Sequence, residues 1–164
     1  MKMQMTDQIA INVPAEKAWR VLAHEFEHIG RWAVIIDASA AASDIPAFEA
    51  CEIGGRTCTA QGFGDVKEQF IHYDEASMRY AYEAIAGLPS FLTRAVNNWS
   101  VHAAGLDHCV VESSAEIEVK RFPGIILAPI FKWRMGRKGR EMLEELKYYL
   151  ERDQPHPRKL KAQQ

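Results

Sequence analysis

VKEQFIHYD (66–74), MRYAYEAIA (78–86), TRAVNNWSVHA (93–103) and HCVVESSAEIEV (108–119) are successive runs in which apolar or aromatic residues alternate with polar ones. A period of two is the mark of a half-buried β-strand. Asp74-Glu75-Ala76-Ser77 joins the first pair, Gly87-Leu88-Pro89 interrupts between the second and third, and Ala104 to His108 closes a hairpin before the fourth. Strands joined in sequence by such short turns pair as an antiparallel meander, whereas a parallel nucleotide-binding sheet needs a helical crossover between each pair.

Working upstream, Gln4 to Val13 alternates as a strand, with Met5, Ile9, Ile11 and Val13 on one parity, and Pro14 ends it. Pro14 suits a first helical turn, Glu16 complements the positive helix end, and Ala18, Trp19, Leu22 and Phe26 recur at helical spacing. This predicts an amphipathic helix reaching about residue 25, followed by a second short helix or turn over Glu27 to Arg31, where Ile29 and Trp32 continue the apolar stripe. Between Val34 and Thr59 the signals are mixed. Val34-Ile35-Ile36 fits the start of a strand, Ala38 to Ser43 fits strand or coil, and Gly54-Gly55 reads as a turn between two edge strands. Downstream of Phe122-Pro123-Gly124 the period changes to that of one long helix, roughly Ile125 to Arg152, with Met142, Leu143, Leu146, Tyr149 and Leu150 on one stripe. Pro129 falls near its first turn or marks a kink. Pro155 and Pro157 end it and release a polar tail, 153–164, expected to be disordered.

A chain of 164 residues builds one core, so residues 1–152 are read as a single domain. With 20 basic and 22 acidic side chains the net charge is -2, which removes the general attraction to phosphate expected of a nucleic-acid binder. The opening has no long apolar core of a secretory signal and no run reaches the length of a membrane span, so the expectation is a cytoplasmic protein without integral membrane association. Cys51, Cys58 and Cys109 form no CxxC pair and have no zinc-like histidine spacing; reduced structural thiols are expected. Gly54, Gly55, Gly62 and Gly64 form no GxGxxG fingerprint, and no GxSxG elbow is present. No metal and no cofactor are inferred, and oligomeric state has no signature.

The order strand, helix pair, meander, long terminal helix is that of an α+β helix-grip fold, a curved antiparallel sheet of six or seven strands around a C-terminal helix. Two segments carry a closer likeness. INVPAEKAWRVLAHEFEHIGRW (11–32) resembles the first motif of the START-like (SRPBCC) superfamily, which includes polyketide cyclases and dehydratases, pollen-type allergens and lipid-transfer domains. GGRTCTAQGFGDVKEQFIHYDEASMRYAYEAIAGLP (54–89), followed by Trp99 and Val101 as a W-x-V strand, is similar to the same superfamily's middle segment. About residues 4 to 150 are covered. The resemblance implies a cavity between sheet and helix that takes a small hydrophobic or aromatic molecule. The chain is then a binder or carrier, a cyclase- or dehydratase-like enzyme working by acid-base catalysis, or an interaction protein whose cavity is self-filled. Motifs this diffuse specify fold more than activity.

Equal parity puts Glu68, Phe70 and His72 on one strand face and Tyr80 with Tyr82 on one face of the next strand. Were that face concave, a carboxylate, an imidazole and two phenols would converge, with His72 as the base and a tyrosine as hydrogen-bond donor. On the competing reading the face is convex and His72 and Glu68 lie in solvent, or the tyrosines are core. Trp99 and Trp32 complete the expected ligand-binding set of Trp32, Phe70, His72, Tyr80, Tyr82 and Trp99; for both tryptophans a core role competes.

His24-Glu25-Phe26-Glu27-His28 matches HExxH in letters, but the buried stripe and the absence of a later ligand weigh against a metalloprotease. Lys132, Arg134, Arg137, Lys138 and Arg140 lie beside Phe131 and Trp133. They suit an anionic membrane surface, an acidic partner or a solvated helix face, and Glu141, Glu144 and Glu145 favour the last.

Overall fold

In a computed structural model of the chain, the alternating runs form β4 (Gly64–Asp74), β5 (Arg79–Ala86), β6 (Leu92–Ala103) and β7 (Cys109–Val119). β1 (Lys2–Ile11), β2 (Ile36–Ala41) and β3 (Gly55–Ala60) complete one antiparallel sheet in the order β1-β7-β6-β5-β4-β3-β2, so the first strand closes onto the last. The structure describes residues 1–49, 51–120 and 124–163, with the backbone alone for 124–128; Phe122-Pro123 lies outside the described residues.

The sheet curves because its ladders are irregular. Register shifts occur at Ile36/Ala38, Lys67/Glu68, Phe70/His72 and Leu92/Arg94, and each such bulge bends its strand and increases the local twist. Gly54-Gly55 is a close approach of chain segments and not the expected turn. A Cβ on Gly54 would lie 1.8 Å from the Pro46 carbonyl oxygen, and one on Gly55, which opens β3, 2.1 Å from that of Glu68.

The first helix, α1 (Ala15–Trp19), continues as a π-helical turn through His24, and a 3-10 segment covers Phe26–Arg31. These turns bury Trp19, Leu22, Phe26 and Ile29 against one end of the concave face. α2 (Gly124–Arg152) crosses the same face, with Pro129 inside it. Its C-terminal half is sealed by Leu143, Leu146 and Leu150, none more than 2% exposed, each contributing about 2 kcal/mol by burial. From Pro129 to Arg140, in contrast, no residue is fully buried. α2 is therefore sealed on the core through its C-terminal half, whereas between Pro129 and Arg140 it is held more loosely, with Phe131 partly buried against a second, smaller apolar cluster.

The C-terminal tail is not disordered as expected. Pro157–Ala162 form α3, capped by His156, whose Nδ1 accepts from the Arg158 amide at 3.1 Å. Arg158 reaches Glu144 at 3.0 Å, and Lys159, 1% exposed, donates through Nζ to the Ile36 carbonyl oxygen. Composition alone signals solvation; these specific contacts hold the segment against α2 and β2 instead.

Candidate functional site

Met5, Ala115, Asn97, Tyr82 and Phe70 are successive cross-strand partners from β1 through β7, β6 and β5 to β4. Direct partners point to the same side of a sheet, so this row crosses the concave face beneath α2. A cavity of about 160 Å³ lies there. All seven strands contribute to it, through Asp7, Ile36, Arg56, Glu68, Tyr82, Asn97 and Ser113, and α2 roofs it with Met135, Gly136, Gly139 and Met142. It shares Ile35, Met135 and Lys138 with a wider opening of about 580 Å³ walled by Phe63, Phe91, Phe131 and Trp133. Phe91 and Phe131 meet edge to face at 5.6 Å. Both are mainly apolar; the opening carries Arg134, Arg137 and Lys138 at its edge, and the inner end adds Arg56, Glu68 and Tyr82.

The inner end is organised by Arg56, which is 3% exposed. Its Nε donates to Glu68 Oε2 at 2.6 Å and its Nη1 to the Phe26 carbonyl oxygen at 2.7 Å. The guanidinium also lies over the Phe26 ring, 3.8 Å from its centroid. Burial works against the charged form, but Glu68, with Tyr82 and other neighbours, outweighs it and holds the Arg56 pKa above its ordinary value. Cys58 shares the strand face, and burial raises its thiol to about 11. Burial, reinforced by Glu68, raises Tyr82 as well, so it stays a neutral phenol. The cavity thus offers a fixed cation, a carboxylate already engaged by it, and a protonated hydroxyl.

The predicted site residues divide. Glu68 and Tyr82 line the cavity. Tyr80, Trp32 and Trp99 lie deeper, with Tyr82, around a void of only 10 Å³, and Phe70 packs on Phe26 at 4.2 Å in the core beside them. The inner part of the fold is thus filled by its own aromatics. Among the described residues Trp99 Nε1 is buried there without a well-formed hydrogen bond, the Tyr82 hydroxyl being its polar neighbour. His72 is the correction. The bulge after Phe70 shifts the ladder so that His72 opposes Ala81 and Tyr73 opposes Tyr80. His72 is exposed on the convex side, and Tyr73 takes the inward place expected of it. His102 is also exposed and contacts Ser100 Oγ at 3.0 Å.

The HExxH letters do not form a helical ligand pair. Glu25 and His28 depart from helical dihedrals, and His24 contacts Glu75 at 2.9 Å while His28 lies 3.4 Å from Glu27. Among the described residues no group of three or more His, Cys, Asp or Glu side chains is arranged to hold a metal, and no helix is long and apolar enough to cross a membrane. Arg56 was missed from the sequence. It sits in the mixed stretch before Thr59, and nothing in a lone arginine between Gly55 and Thr57 announces burial.

A curved sheet closed over a cavity by a terminal helix defines a helix-grip protein. Residues 2–151 match the sequence model of the family described as polyketide cyclase / dehydrase and lipid transport, and the chain belongs to that family. A search of curated proteins finds no significant match. Solved structures show the same fold at low identity. The Zhui aromatase/cyclase from Streptomyces sp. R1128 aligns with TM-score 0.75 and 11% identity over 93% of this chain and 95% of its own. A START superfamily protein from Mycobacterium smegmatis gives 0.73 and 16% over 90% and 97%. Norcoclaurine synthase from Thalictrum flavum, in complex with dopamine and hydroxybenzaldehyde, gives 0.61 and 20% over 93% and 88%.

Proposed function

We propose that this protein binds and carries a small hydrophobic or aromatic molecule under α2. Its apolar body would rest against Phe63, Phe91, Phe131 and Met135, and a carbonyl or hydroxyl group would reach Arg56, Tyr82 and Asn97. The observation that carries this reading is the lining of the space under α2, aromatic walls at the opening and a buried, charge-compensated arginine further in. Apolar walls with a few placed polar groups are the usual composition of small-molecule sites. The family's description, which joins cyclase and dehydrase activity with lipid transport, agrees with such a ligand. A cytoplasmic setting fits three cysteines that are all free.

Native mass spectrometry of freshly purified protein, followed by denaturation and identification of what is released, tests the proposal. A stoichiometric apolar or aromatic compound supports carriage. Protein that is empty and stays empty when offered such compounds overturns it.

A catalytic reading rests on one further observation, the approach of the Tyr82 phenol and the Arg56–Glu68 pair to the same 160 Å³ space. Two donors directed at one carbonyl would polarise it for cyclisation or dehydration. On that reading Glu68 and Tyr82, and not His72, carry the chemistry, and turnover of the released compound's precursors is the assay. The interaction-protein reading loses support, since only the inner aromatic end is filled and open space persists under α2.

A further inference from the structure

Ile130, Trp133, Arg134 and Arg137 follow the i, i+3, i+4, i+7 spacing of a single helix face, and all of them stand at the rim of the cavity opening. Ile130 is 62% exposed and Trp133 65%. The three other tryptophans, Trp19, Trp32 and Trp99, are at most 3% exposed, so the one large indole left in water is at the opening. Every charged residue on that rim is cationic, namely Arg134, Arg137 and Lys138, although the whole chain carries a net -2. Glu141, one turn further on, pairs with Arg137 at 2.8 Å and Lys138 at 3.0 Å. Arg134 has no ion pair among the described residues.

We infer that this rim docks on the surface of an anionic phospholipid bilayer. Trp133 and Ile130 enter the headgroup region, Arg134 and its neighbours face the lipid phosphates, and the cavity opens against the membrane. Two observations select a bilayer over an acidic protein. An indole prefers the headgroup layer, where its ring is shielded and its N–H stays hydrated. A helix face that pairs exposed apolar side chains with cations is the pattern of interfacial binding. An apolar cargo would then pass between lipid and cavity without crossing water. That purpose rests on the carrier reading, but the docking is testable without it.

The experiment uses the full chain, freed of bound ligand, with phosphatidylcholine vesicles prepared with and without phosphatidylglycerol. We expect co-sedimentation with the anionic vesicles only, lost on adding salt, and a blue shift in tryptophan emission. The shift reports Trp133, since the other indoles are already buried, and it disappears in Trp133→Phe. Arg134→Glu should weaken partitioning by at least about fivefold, the effect of removing one cation near a charged surface, with a thermal melt matching the parent. Equal binding to neutral vesicles, no binding to either, or an unaltered Arg134→Glu variant overturns the inference; absence of vesicle binding would leave an acidic protein as the complement of these cations. A chain that releases a ligand in native mass spectrometry yet ignores vesicles overturns the docking alone, whereas vesicle binding by a chain that accepts no ligand supports docking and overturns carriage.

Discussion

Arg56 and Glu68 are direct cross-strand partners on β3 and β4, and their side chains meet at 2.6 Å at the inner end of the cavity. The arginine side chain is 4% exposed and the carboxylate 15%, so solvent screens the pair weakly. Removing one partner strands the other's charge. Glu68→Gln should therefore lower stability by about 3 kcal/mol in urea denaturation. The double variant Arg56→Met, Glu68→Leu should recover most of that loss while still impairing ligand binding, because apolar replacements leave no charge uncompensated. An unchanged midpoint for Glu68→Gln would show that the guanidinium is satisfied without it.

Tyr82 and His72 separate a cavity role from a surface one. Burial keeps the Tyr82 phenol protonated, and the side chain lines the cavity. Tyr82→Phe should leave the melting temperature nearly unaltered and weaken binding of a ligand bearing a carbonyl or hydroxyl about tenfold, the usual effect of losing one hydrogen bond. His72→Ala should alter neither. Calorimetric titration of both variants with the compound identified by mass spectrometry checks this, and a loss of binding in His72→Ala would return the imidazole to the site.

The difference between those residues shows what the sequence could convey. Alternation in 66–119 specified the meander, and the stripe from Leu143 to Leu150 specified where α2 is anchored, since both follow from repeated side-chain periods. Parity grouped Glu68 with Phe70 and Tyr80 with Tyr82 but left open whether their face was concave; in the structure all four point inward. It failed at His72 because one extra residue at Ile71 reverses every later assignment on β4, and nothing in Phe70-Ile71-His72 marks a bulge. Arg56 was illegible for another reason: its burial depends on Glu68, twelve residues away in sequence, and on the Phe26 carbonyl, thirty away. The opening lay hidden in the basic run of α2, where the charges were visible but not their position around a cavity.

Gly136 and Gly139 explain part of the open space under α2. Both lie inside the helix and line the cavity, where glycine costs about 1 kcal/mol relative to alanine. A Cβ at Gly136 would come no nearer than 3.8 Å to Arg140 Nη1, and one at Gly139 no nearer than 3.7 Å to Asp7 Oδ2, both ordinary contacts. Alanine at either position should thus raise stability by up to about 1 kcal/mol while narrowing the cavity. We expect the double variant to melt higher and to hold less ligand after purification. Higher stability with undiminished ligand content would assign the glycines to another purpose.

His156 makes the docking of α3 dependent on pH. Its pKa is pushed below the ordinary 6.5, first by burial and then by Arg158, against an opposing pull from Glu144. The neutral ring is needed, because Nδ1 accepts the Arg158 amide that starts the helix. A base whose folded pKa is depressed takes up its proton more readily when released. Its contribution is therefore complete above the unfolded value near 6.5 and declines as pH falls through the folded one. Lys159 and Arg158 depend on that start, since both reach their partners from α3. Acidification from about pH 7.5 to 5, the range in which imidazoles titrate, should move the Arg158 amide resonance and loosen Lys159 from β2. His156→Asn keeps a side-chain oxygen at the cap position and should flatten the response; a persistent pH profile in that variant would locate the switch at Glu145, which burial raises and which Val34 and Arg158 contact from the other side.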